Sequence, residues 1–158
     1  MEFYYAPMSC AFASHVLLED AEAIYKATRI DLKKGDQNKP DFLKINPKGR
    51  VPALITSKGI LTETPAIMYY ICMLHPEQKL APNDPYELAE AQAFNMYLSS
   101  TVHVGHAHKH RGQRWTNDEH ALNSLTAQVK NNMTSYAEYI EKNLFKGPWV
   151  LGENYSMC

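Results

Sequence analysis

The sequence predicts an α/β domain over residues 1–76, a linker over residues 77–85 and an all-helical region over residues 86–158. Two observations carry this. Strand-like and helix-like segments alternate up to Pro76, and beyond Pro85 only helical periodicity is left. The prolines at 76, 82 and 85 mark the change of pattern between them.

Taken in order, Glu2-Phe3-Tyr4-Tyr5 favours a strand that Ala6-Pro7 stops. Phe12, Val16, Leu17 and Ile24 recur at helical spacing, which predicts a helix from residue 11 to about 23. Residues 25–31 form a weaker strand, followed by a polar loop from Lys33 to Pro40 and a helical turn around Asp41–Ile45. Asn46-Pro47-Lys48-Gly49-Arg50 is turn chemistry running into the apolar Val51-Pro52-Ala53-Leu54-Ile55, and Ser57-Lys58-Gly59 returns the chain into Ile60-Leu61 as a β-hairpin. Thr64 reads as a helix N-cap with Pro65 at the first helical position, and the helix ends at His75-Pro76. The order βαβ, short helix, ββα combines a parallel crossover with an antiparallel hairpin, a thioredoxin-like arrangement. Two long helices follow, from about Pro85 to Arg111 and from about Asn117 to Asn143, the second with Leu122, Leu125, Val129, Met133, Tyr136 and Ile140 on one face.

Composition narrows the partner. With 45% hydrophobic and 21% charged residues the chain is an ordinary globular sequence. A net charge of −1 gives no positive field for nucleic acid and no polybasic stretch for anionic lipid, so a small molecule is the expected ligand. The N-terminus lacks the pattern of a signal peptide and no segment reaches membrane-spanning length, which makes the cytoplasm the expected compartment. Cys10, Cys72 and Cys158 are odd in number and widely spaced, fitting free thiols better than a disulfide framework or a zinc site.

Three segments resemble the cytosolic glutathione transferases, in particular their bacterial beta-like branch: Tyr5-Ala6-Pro7-Met8-Ser9-Cys10 running into Ser14-His15, Asn46 to Leu54, and Leu61-Thr62-Glu63-Thr64-Pro65-Ala66-Ile67. Ser99-Ser100-Thr101-Val102-His103 and Trp149-Val150-Leu151-Gly152-Glu153 extend the likeness along the whole chain. The resemblance implies a thioredoxin-like glutathione-binding domain followed by an all-α domain, glutathione as co-substrate, a hydrophobic electrophile as second substrate, and a homodimer.

Cys10 lies at the start of the first helix, where unsatisfied N–H groups and the helix dipole favour a thiolate, although cysteine is also a common core residue. The resemblance assigns it to the glutathione sulfur, with the hydroxyls of Ser9 and Tyr5 ranked behind it. It also implies that the Val51-Pro52 bond is cis and that Val51, flanked by Arg50, offers its backbone to an extended peptide. Glu63 and Thr64 open the third helix, where free N–H groups and a hydroxyl suit a carboxylate and Glu63 suits an ammonium, the two charges of a γ-glutamyl end. Lys34, or Lys33 in its place, is the candidate for the glycyl carboxylate, against the plain alternative of a solvated lysine.

His103, His106, His108 and His110 crowd one stretch, yet no carboxylate or cysteine lies among them and there is no H-E-x-x-H pattern, so no metal site is expected. The resemblance places His103, with His106 one turn on, at the wall of the glutathione site. Met96 and Val104 stand where the beta-like pattern often has asparagine and lysine, a departure that bears on the second substrate. Ser156 reads as the N-cap of a further helix, so the chain is expected to be short of the family's length at its C-terminus. Three functions remain open: conjugation of glutathione to an electrophile, monothiol thiol–disulfide exchange through Cys10, and a binding module without turnover.

Overall fold

A computed structural model describes all 158 residues. The chain divides into two compact units, residues 1–81 with Met157 and residues 82–156 with Cys158.

The first unit contains strands β1 (Glu2–Tyr5), β2 (Lys26–Arg29), β3 (Ala53–Thr56) and β4 (Gly59–Thr62), with helices α1 (Ala11–Asp20), α2 (Pro40–Ile45) and α3 (Thr64–Leu74). The sheet order is β2-β1-β3-β4; β1 runs parallel to β2 and antiparallel to β3, and β3 and β4 form the hairpin. Side chains alternate across a strand, so Phe3 and its cross-strand partner Leu54, both fully buried, mark the core face. Tyr4 points the other way, toward Phe42 of α2 at 5.9 Å between ring centroids. Leu17 and Leu18 of α1 and Ile67, Ile71 and Cys72 of α3 complete the core, with α1 and α3 against each other. The backbone N–H of Met157 donates to the carbonyl of Leu80 at 2.8 Å, within the same unit.

Two details depart from the expected pattern. Phe12 is 70% exposed and Ile24, 92% exposed, lies beyond the end of α1; the buried face is Ala11, Ser14, Leu17 and Leu18. The small side chains of Ala11 and Ser14 share the inner face with Leu17 and Leu18, whereas Phe12 and Ile24 fall outside it. The cap of α3 is also one residue earlier than expected: Glu63 is the N-cap, and Thr64 and Pro65 are the first two helical residues.

In the second unit, α4 (Pro85–Tyr97) begins where the carboxylate of Asp84 accepts from the N–H groups of Tyr86 at 2.9 Å and Glu87 at 3.0 Å. A π-helical segment, Leu98–Val102, joins it to α5 (His103–Arg111), so the single helix expected from Pro85 to Arg111 contains a widened turn. The Asp118 carboxylate caps α6 (Glu119–Tyr139), which runs on into a second π-helical segment, Ile140–Leu144. Helices α5 and α6 approach closely because Gly105 has no side chain: a Cβ there would lie 2.8 Å from the ring of Tyr136. No helix is long and apolar enough to cross a membrane.

Candidate active site

The candidate site is assembled from three loops of the first unit. Ala6 to Cys10 leads into α1, and Cys10 is its N-cap residue. The Ser9 hydroxyl donates to the Ala6 carbonyl at 2.7 Å and accepts the N–H of Ala11 at 3.3 Å, which fixes the loop and commits its one proton. The Cys10 thiol is exposed and free of any disulfide.

The second loop is built on Asn46. Its side chain, 1% exposed, donates to the Arg50 carbonyl at 2.7 Å and accepts the Lys48 N–H at 3.2 Å, and Gly49 turns the chain at φ 61°. That turn delivers Val51-Pro52, whose peptide bond is cis as the resemblance implied. The Cys10 thiol points to the Val51 carbonyl, with Sγ 3.6 Å from the oxygen. The third loop is the start of α3, where the Thr64 hydroxyl donates to the Cys10 carbonyl at 3.4 Å. Cys10, Val51 and Thr64, far apart in sequence, thus meet at one place.

Glu63 adopts φ 72°, ψ 121°, a region that side-chain-bearing residues seldom occupy. Its carboxylate accepts from the ammonium of Lys48 at 2.5 Å, and the same ammonium donates to the Thr62 hydroxyl at 2.7 Å. Lys48 is the residue that sequence reasoning missed. The sequence offers no local signal for this pair, because Glu63 and Lys48 lie fifteen residues apart and either could be a solvated charge.

The other candidates are distributed as follows. Tyr5, at the end of β1, stacks on Phe3 and meets the ring of His15 at 4.9 Å. His15 also contacts Tyr25 at 5.9 Å, whose phenol donates to Glu19; burial, followed by that carboxylate, pushes the Tyr25 phenol well up. The Ser14 hydroxyl is buried without a hydrogen-bond partner. Lys34 is exposed and pairs with Asp31 at 3.8 Å, while Asp31 accepts the backbone N–H groups of Lys33 at 3.0 Å and Lys34 at 3.2 Å. The Arg50 side chain is exposed. His103 and His106 belong to the second unit, on α5, the first half-buried and the second exposed. No group of three or more histidine, cysteine, aspartate or glutamate side chains is placed to hold a metal ion.

Fold and site together define a thioredoxin-like domain with an exposed cysteine at the start of its first helix, followed by a helical domain. Residues 1–72 match the family model described as the N-terminal domain of glutathione S-transferase. A solved glutathione transferase homologue from Sulfitobacter, which holds bound glutathione, is 41% identical with a TM-score of 0.96 over 99% of this chain and 76% of that one. Glutathione S-transferase Z2 of Arabidopsis thaliana is 31% identical over 96% of this chain and 68% of the relative. Glutathione S-transferase GstA of Escherichia coli O157:H7 is 29% identical over the whole chain and 77% of the relative. The chain belongs to the glutathione S-transferase family and is an enzyme of that family.

Proposed function

We propose that the chain binds glutathione in its first unit and conjugates the glutathione sulfur to a hydrophobic electrophile, with Cys10 at that sulfur. The observation that carries this reading is the convergence of Cys10, the Val51 carbonyl and the Thr64 hydroxyl. An extended peptide laid beside Val51 brings its own cysteine to Cys10 and its γ-glutamyl end to the start of α3. There the free N–H groups receive the α-carboxylate, joined by the Thr64 hydroxyl once it turns from its long bond to the Cys10 carbonyl, and Glu63 receives the α-ammonium. Lys34, or Lys33 in its place, then serves the glycyl carboxylate, with Arg50 flanking the Val51 backbone. Tyr5 and Ser9 rank behind Cys10 at the sulfur, Ser9 because its proton already goes to Ala6.

In the reaction, the glutathione thiolate forms a carbon–sulfur bond with the electrophile, whose leaving group departs with the electron pair or whose π electrons take up a proton. On the family resemblance, His103 and His106 are the second unit's candidates for the acceptor, and the working form is a cytoplasmic homodimer. The test is calorimetric glutathione binding to the wild type and Cys10→Ala, with mass spectrometry after exposure to oxidised glutathione and a conjugation assay against an aryl halide. Binding retained in both, an adduct of glutathione only on the wild type, and conjugation by the wild type support the reading. Binding and adduct without conjugation favour thiol–disulfide exchange, in which Cys10 attacks the oxidised disulfide and releases one reduced glutathione. No binding in either protein removes the glutathione reading of this site.

A further inference from the structure

The Lys48 ammonium is paired with the Glu63 carboxylate at the start of α3. Its position is built in. The turn that carries Lys48 is held by the buried Asn46 and by Gly49 in the left-handed region, and Glu63 is fixed at φ 72° against the first turn of α3. Lys48 reaches one carboxylate oxygen of Glu63 at 2.5 Å and anchors on the Thr62 hydroxyl at 2.7 Å. Its side chain is 47% exposed, so water receives the ammonium when the carboxylate is taken from it.

We propose that Lys48 is a specificity-determining residue for the γ-glutamyl end of the ligand, holding Glu63 in the free protein and competing with the incoming α-ammonium for it. This rests on the glutathione reading above and on Glu63 as the ammonium's partner. Two effects follow from a positive charge at this place. The ligand's ammonium gains Glu63 only by displacing Lys48, and it meets a like charge on arrival; the ligand's carboxylate is attracted by the same charge. Lys48 therefore narrows the difference in affinity between glutathione and an analogue that keeps both carboxylates but lacks the α-amino group. An exposed pair of this kind accounts for a factor of about two to five in that difference.

The experiment measures dissociation constants by calorimetry for glutathione and for glutaryl-cysteinylglycine, its deaminated analogue, on the full chain as wild type, Lys48→Met, Lys48→Gln and Glu63→Gln. The quantity read is the ratio of analogue to glutathione dissociation constants, which a merely structural role for Lys48 does not move. Both Lys48 variants are expected to raise the ratio about two- to fivefold over wild type, the analogue binding more weakly, while Glu63→Gln lowers it. A ratio unchanged or lowered in the Lys48 variants overturns the competition. If Glu63→Gln leaves the wild-type ratio in place, the carboxylate is not the ammonium's partner and the proposal falls with that assignment, glutathione binding itself standing. Absence of glutathione binding to the wild type overturns the glutathione reading and this one with it.

Discussion

Glycine at position 63 should make the protein more stable than alanine there, although neither can bind through a carboxylate. Glu63 sits at φ 72°, ψ 121° between β4 and α3, where a Cβ is crowded against its own backbone. Holding a side-chain-bearing residue in such a region costs about 1–3 kcal/mol, and glycine escapes that cost. Glycine in turn has more freedom to lose on folding, a penalty of roughly 0.5–1 kcal/mol relative to alanine. The net advantage of Glu63→Gly over Glu63→Ala is therefore about 1 kcal/mol. Loss of the exposed Lys48 pair is common to both variants and cancels in the comparison. At this chain length, 1 kcal/mol corresponds to a difference of roughly 2–4 °C in Tm. Circular dichroism at 222 nm during heating, with urea titrations as a parallel measure, reads the difference directly. An alanine variant as stable as the glycine variant would refute the reasoning, because it would mean that no strain is stored at this helix start.

Three other outcomes follow from the packing. Gly49→Ala is expected to lose roughly 1–3 kcal/mol in urea unfolding, because a Cβ at φ 61° is unfavourable in itself and would lie 3.1 Å from Asn38 Oδ1 and 3.2 Å from the Gln37 carbonyl. Gly105→Ala gains helix propensity of about 1 kcal/mol yet presses on the Tyr136 ring at 2.8 Å, so thermal melts should show no stabilisation and a net loss of up to about 2 kcal/mol. Glu2 has its carboxyl held below the ordinary range, first by the Thr28 hydroxyl and then by Lys26; a depressed folded-state value stabilises above the unfolded-state value of about 4.3 and that stabilisation is lost as the pH falls. Glu2→Gln should accordingly unfold at lower urea than the wild type at pH 7, by no more than about 1 kcal/mol, and the two curves should converge as the pH is taken down to 3.

Residues whose role is to shape the backbone were legible in the sequence, and residues whose role depends on a distant partner were not. Asn46-Pro47-Lys48-Gly49 declares a turn because asparagine and glycine each do something local: the buried amide bridges Arg50 and Lys48, and glycine accepts the left-handed φ. Pro85 marks a helix start for the same kind of reason, its fixed φ suiting the first helical turn. Periodicity found α1 but not the whole of its buried face, because that face is made partly of Ala11 and Ser14, which a hydrophobicity pattern scores weakly, while the exposed Phe12 scores strongly. Thr64 reads as the cap of α3 because threonine followed by proline is the commoner signature, and the positive φ at Glu63 leaves no local mark on a residue that normally avoids it.

Lys48 shows the same limit at the site. A lysine in a polar turn is most often a solvated charge, and its contact with Glu63 exists only once β3 and β4 have paired in register, Ala53 opposite Thr62, bringing the turn before one strand to the helix after the other. The register is set by the two-residue turn at Ser57-Lys58, a feature with no chemistry of its own. A change in that turn that shifted the hairpin would therefore separate Lys48 from Glu63 without touching either, and under the competition proposed for Lys48 the discrimination of an α-amino group would answer to a loop at the far end of the hairpin.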